Sequence, residues 1–213
     1  MDKKSIERVD LNALLSCLAR LDKFQPSSID HKDKPDFIIS NAGKNIGVET
    51  TRAVSQEMVR ARKLHFSECP NLWIDVTHLK DRELRRSNKE LLASMTNPLP
   101  QWKKSKESAL EWKNKIAKVL RSKRKKYNRI DFQKFDKNWL LITDDPPLPA
   151  SDLWKARAER HLNALFREPI GVAYDFDTVF VCSGQFLFRW RNQELHLADT
   201  KLVGDLNLTN LAT

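Results

Sequence analysis

The chain has 213 residues, 40% of them hydrophobic and 31% charged, and a formal net charge of +10. That balance belongs to a folded protein and excludes a chain too poor in apolar residues to build a core; the length suits a single domain, 1–213. No apolar run approaches the roughly 18 residues of a membrane span, and the start, MDKKSIERVD, lacks an apolar signal stretch, so a cytoplasmic protein with no membrane partner is expected.

Along the chain, Ile6, Val9, Ala13, Cys17 and Leu21 recur at spacings of three and four and predict an amphipathic helix ending near the turn Gln25-Pro26-Ser27-Ser28. Phe37-Ile38-Ile39 and Ile46-Gly47-Val48, separated by Asn41-Ala42-Gly43-Lys44-Asn45, predict a β-hairpin, because Asn and Gly tolerate the positive φ of a tight connection. Arg52 to about His65 suits a helix, Leu72 to Thr77 a strand, and Asp81 to Met95 another helix, broken at Asn97-Pro98-Leu99-Pro100. The clearest helix runs from about Ser105 to Tyr127, with Ala109, Trp112, Ile116, Val119, Leu120 and Tyr127 on one stripe. Trp139 to Thr143 is a continuous apolar run, as in a buried central strand; Asp144-Asp145 at its end can mimic a metal pair, but the following Pro146-Pro147 favour a turn that ends the strand. Ser151 to Arg167 suits a helix capped by Ser151, Thr178 to Cys182 a strand, and Phe186 to Leu197 a closing hairpin around Asn192-Gln193. The order is that of a mixed α/β protein with at least one parallel pairing across a helix.

The charge is unevenly spread. From Lys103 to Lys137 fourteen Lys or Arg face four acids, which gives this segment alone +10 and leaves the rest neutral. Such a concentration suits a polyanion, nucleic acid being the commonest; a well-solvated helix surface explains it equally. Cys17, Cys69 and Cys182 match no zinc spacing and read as reduced, buried thiols. The five histidines show no ligand spacing, and P-loop, GxGxxG and GxSxG motifs are absent. Trp102, Trp112 and Trp139 adjoin basic residues and can stack on bases, although core packing is the simpler role.

The chemistry concentrates in Lys34-Pro35-Asp36-Phe37-Ile38-Ile39 and Gly47-Val48-Glu49-Thr50-Thr51-Arg52. A hairpin with an Asp at the start of one strand and a Glu within the next brings two carboxylates to one sheet edge. Two such oxygens suit Mg2+, which keeps waters or substrate phosphates as its other ligands. These segments resemble the PD-(D/E)XK nuclease superfamily. The resemblance spans about Glu7 to Thr51, extended by the later basic helix and the Trp139 strand. It implies a restriction-endonuclease-like core, a central mixed β-sheet flanked by helices. It also implies Asp36, Glu49 and the Thr50 carbonyl as ligands of Mg2+ or Mn2+, with Glu7 contributing to the outer shell.

One position departs from that pattern: Thr51 stands where the family has its lysine. In the superfamily this lysine can come from a neighbouring helix, and here Lys123 shares the stripe of Ile116 and Tyr127. A lysine on an apolar stripe must reach water or a buried anion; the competing reading is that the helix frays before it. Lys118 and Lys126 turn further from the sheet and are weaker substitutes. Arg52 and Arg60 flank the pair as phosphate contacts or as solvated helix charges, and Lys118, Arg124, Lys125 and Lys126 are the candidate nucleic-acid contacts. The expected activity is metal-dependent phosphodiester hydrolysis of DNA, RNA second, in the style of bacterial or phage-defence enzymes. The alternative is a non-catalytic module of the same fold that binds nucleic acid or a protein. Oligomeric state stays open, a homodimer included.

Overall fold

A computed structural model of the chain describes residues 2–71, 79, 85–96, 105–145, 151–168 and 175–199. The expected strand 72–77 and the start of the helix at 81–84 lie outside them. Two compact units divide the chain, one made of Met1–Ala53 with Trp112–Thr213, the other of Val54–Glu111.

In the first unit, helix α1 (Lys3–Asp22) is capped by Asp2, whose carboxylate accepts the Ser5 amide at 2.8 Å. Its buried Leu11, Leu14, Leu15 and Leu18 recur at helical spacing, which gives it one apolar face. Strands β1 (Ser28–His31), β2 (Phe37–Asn41) and β3 (Lys44–Val54) follow as an antiparallel meander at one edge of a seven-stranded sheet. The Ser27-Ser28 turn expected from sequence is thus the entry to a short strand. Helix α4 (Ser105–Tyr127) leads to β4 (Lys137–Asp145), α5 (Asp152–Phe166) to β5 (Thr178–Ser183), and β6 (Phe186–Arg191) and β7 (Glu194–Asp199) close the sheet, which runs in order β1 to β7. β4 and β5 pair in parallel across α5, as expected, and β5, β6 and β7 pair antiparallel.

The two tight hairpins follow from their turns. Ala42 and Gly43, at φ 49° and 75°, join the paired Asn41 and Lys44, and Asn192 and Gln193, at 53° and 65°, join Arg191 and Glu194. Positive φ at both central residues matches the strand twist.

Strand alternation sorts the core into two layers. Phe37, Ile39, Ile46, Val48, Trp139, Leu141 and Phe180 pack with α1 on one side. Leu140, Ile142, Val179, Val181, Phe188 and Trp190 meet Trp112, Ile116 and Leu120 of α4 and Leu162, Leu165 and Phe166 of α5 on the other. The result is a mixed sheet flanked by helices, as the sequence predicts. Trp112 and Trp139 are core residues; Trp102 is outside the described residues.

The second unit contains α2 (Gln56–Glu68), capped by Ser55, and α3 (Asn88–Thr96). Met58, Ala61, Leu79, Leu91 and Met95 form its core. Buried Glu57 holds Arg86, both by ion pair and by accepting the Arg86 amide at 3.0 Å, and Arg60 donates to the Arg86 carbonyl and to Asn88. Arg60 thus serves this small unit. No helix among the described residues is long and apolar enough to cross a membrane.

Candidate metal centre

The β2–β3 register fixes the two carboxylates. Phe37 pairs with Val48, so one step further along the ladder Asp36 faces Glu49, and cross-strand partners share a sheet face. Phe37 and Val48 belong to the α1 side of the core, which turns Asp36 and Glu49 toward the α4 side. Gly47 makes this approach possible: a Cβ there would sit 2.9 Å from Pro35 Cγ and 2.8 Å from the Phe135 ring. Only a hydrogen side chain lets Pro35, and with it Asp36, lie this close to β3.

Both carboxylates are buried, Asp36 at 4% and Glu49 at 1% exposure. Asp36 Oδ2 accepts the Thr50 amide at 2.7 Å and the Thr50 hydroxyl at 3.1 Å. Glu49 Oε1 accepts from Lys123 Nζ at 2.5 Å and from Lys126 Nζ at 2.6 Å, and Lys123 Nζ also donates to the Thr50 carbonyl at 2.9 Å. Two ammonium groups therefore meet on one oxygen of buried Glu49, while the Asp36 carboxylate is held by Thr50. Glu49 Oε2 is buried with no hydrogen-bond partner.

Helix α4 delivers the lysines because it does not fray. It continues to Tyr127, whose ring packs at 5.1 Å from Phe132 and 4.7 Å from Phe176. Lys123 and Lys126 lie three residues apart on one side of this anchored last turn, where cations also complement the helix dipole. Lys123 thus brings its ammonium to Glu49 and to the Thr50 carbonyl. Lys126 corrects the helical-wheel reading: its long flexible stem carries the ammonium to the same oxygen that Lys123 reaches.

Glu7 of α1 is 9% exposed, lies 3.1 Å from Lys3 and 3.5 Å from His31 Nε2, and belongs to the same neighbourhood. Its carboxylate holds the Lys3 ammonium above the ordinary lysine range against the opposing effect of burial, and the charges of Asp36 and Glu49 act in the same upward direction. Arg52 requires a correction. It lies on β3, which runs to Val54 before the Ser55 cap starts α2, and it grips buried Asp10 with two hydrogen bonds of 2.9 and 2.7 Å. Asp10 also accepts the Thr143 hydroxyl at 3.0 Å, and sequence reasoning gave no sign of it. Arg124 is likewise held, by Asp175 at 2.8 Å. Of the expected nucleic-acid contacts, Lys118 and Lys125 remain exposed, with Arg121 on the same helical stripe.

A second buried acid stands at the end of β4. Asp144 Oδ2 accepts the Trp112 indole N–H at 2.6 Å and the Ser183 hydroxyl at 2.5 Å, while Oδ1 is buried without a partner. Burial pushes its carboxyl up to about 7 against the lowering effect of those two hydrogen bonds. The strand runs through Asp145, so Asp144 is a core carboxyl and not the turn residue expected from the following prolines. Burial raises the Cys17 and Cys182 thiols, and all three cysteines are unpaired with one another.

Among the described residues no group of three or more His, Cys, Asp or Glu side chains gathers as a metal cage. The donor set around Thr50 is different in kind: two carboxylates and one backbone carbonyl. It fits a hard divalent cation, because Glu49 Oε2 is an anionic oxygen buried without a hydrogen bond and Mg2+ takes one or two carboxylates with oxygen ligands from elsewhere. No family model, curated protein or solved structure matches the chain.

Proposed function

We propose that the chain is a metal-dependent phosphodiesterase acting on nucleic acid, DNA ahead of RNA. The observation that carries this reading is Lys123 Nζ bridging Glu49 Oε1 and the Thr50 carbonyl, beside Asp36 held by the same Thr50. Asp36, Glu49 and the Thr50 carbonyl would hold Mg2+ or Mn2+, with Glu7 behind them. When bound, such an ion activates a water and offsets charge on a phosphodiester. The Lys123 ammonium orients the attacking water and stabilises the negative charge that builds on phosphate, and Lys126 shares its anchor. Thr50 fixes the Asp36 carboxylate through amide and hydroxyl, so the acid is held before substrate arrives. The exposed stripe of Lys118, Arg121 and Lys125 tracks the backbone phosphates, in a contact that weakens as salt rises.

The test is cleavage of supercoiled and linear DNA in Mg2+, Mn2+ or EDTA. Wild type should nick only with metal, and Asp36→Ala and Glu49→Ala should fall to background. Lys123→Ala should lose about 10^2- to 10^3-fold, the usual cost of removing one transition-state partner. Equal cleavage by wild type and both carboxylate variants would reject the proposal.

The pairing of Glu49 with two ammoniums favours a second reading, a nucleic-acid-binding module in which Lys123 and Lys126 neutralise the acids without metal. In that case Asp36→Ala and Glu49→Ala retain DNA binding and wild type never cleaves.

A further inference from the structure

A cavity of about 420 Å3 opens beside the far end of the same sheet. It lies next to the β2–β3 turn, where β3, β4 and β5 begin and β6 ends, under the C-terminal end of α1. Lys44 at its rim is five residues along β3 from Glu49, roughly 17 Å at the strand rise of about 3.3 Å per residue. The cavity is therefore separate from the candidate metal centre.

Its lining combines two chemistries. Lys44, Lys137 and Arg191 converge on it from three different strands, and none of their side chains has a hydrogen bond or ion pair among the described residues. A fourth cation, Arg189, is held by Asp22. Lys137 and Arg191 also line an adjoining hollow of about 120 Å3, whose one acid, Asp177, is engaged by the Asn138 amide at 2.7 Å. Three unpaired cations around one concavity repel one another, and an anion with several charges relieves that repulsion. The floor and wall are aromatic: Trp139 packs tilted against Phe24, centroids 5.4 Å apart, and edge-on against Phe180 at 5.3 Å, and all three line the cavity. The Trp139 indole N–H has no acceptor among the described residues.

We propose that this cavity binds a 5′-phosphorylated nucleotide, its phosphate held by Lys44, Lys137 and Arg191 and its base set against Phe24 and Trp139. The volume lies in the range of small-ligand pockets, and the pairing of a planar apolar ring with a dianionic group matches the lining. The same chemistry can arrive as a free mononucleotide or as the phosphorylated end of a strand. The site is independent of the phosphodiesterase reading.

Calorimetric titration of the full chain in EDTA tests it, with deoxyadenosine 5′-monophosphate, inorganic phosphate, and one short single strand bearing either a 5′-phosphate or a 5′-hydroxyl. The mononucleotide should bind one to one, at least tenfold more tightly than inorganic phosphate. Lys137→Glu with Arg191→Glu should weaken it at least tenfold, Lys137→Arg with Arg191→Lys should retain it, and Asp36→Asn should leave it unchanged. If the 5′-phosphate strengthens strand binding tenfold and the double Glu variant removes that gain, a strand end is the source; if it adds nothing while the mononucleotide binds, the free nucleotide is. No saturable mononucleotide binding, equal affinity for inorganic phosphate, or full binding by the double Glu variant would overturn the proposal.

Discussion

Glu49 on β3 and Asp144 on β4 are both buried carboxylates with one oxygen lacking a partner, yet their surroundings differ in kind. Glu49 faces two ammonium groups and stands beside a second acid and a backbone carbonyl. Asp144 accepts its hydrogen bonds from the neutral N–H of Trp112 and O–H of Ser183, the Lys115 charge acts on it more weakly than these, and burial lifts its carboxyl to about 7. Neutral donors tie a side chain into a core but do not cancel its charge. Ammonium partners cancel the charge and keep the carboxylate ionised within a buried polar cluster. The contrast ties Asp144 into the packing of β4 against α4 and β5 and leaves Glu49 in a cluster of opposite charges, which is what the proposed function draws on.

The largest expected effect strips Glu49 of both partners. Lys123→Ala with Lys126→Ala leaves a buried, uncompensated charge and should cost about 3–5 kcal/mol in urea denaturation at pH 7. Either single variant retains one ammonium and should lose far less; equal losses for single and double variants would mean that the lysines do not share the load.

Asp144 sharpens the other half of the comparison. Its folded carboxyl keeps a proton that the unfolded chain, with its ordinary value of 3.8, has already released. Stability should therefore be full below about pH 4, fall as pH rises toward 7, and level off above, by up to about 4 kcal/mol. Asp144→Asn should flatten that slope in denaturation curves taken from pH 4 to 8, and an unchanged slope would assign it to another group.

The smallest effect concerns how the acids come together. Gly47→Ala forces a methyl group against the Pro35 and Phe135 rings and should cost about 1–3 kcal/mol. Because Pro35 precedes Asp36, metal-dependent cleavage should fall with it; wild-type stability and activity would show that the close approach at Gly47 is dispensable.

Much of this was legible because it is local. Two short apolar runs, Phe37–Ile39 and Ile46–Val48, with a turn at Ala42-Gly43 between, make a hairpin whose register brings Asp36 and Glu49 together. The 3.6-residue stripe that ends in Tyr127 places Lys123 on the buried side of α4. Lys126 escaped the wheel because a wheel follows Cα directions and a lysine stem covers the remaining angle. Arg52 was read as helical although β-branched Thr50, Thr51 and Val54 favour a strand and Ser55 signals the later start of α2. The partners of Asp144 lie 32 and 39 residues away, and the cations of the far cavity come from separate strands, so no local pattern announces either.

The central claim is that Asp36, Glu49 and the Thr50 carbonyl form one cation seat. Titration of Mn2+ into metal-free protein, followed by electron paramagnetic resonance of the free ion, tests it most directly. One Mn2+ should bind per chain, with affinity lost in Asp36→Asn and in Glu49→Gln and largely kept in Asp144→Asn. Equal Mn2+ affinity in wild type, Asp36→Asn and Glu49→Gln, or no binding at all, would contradict it.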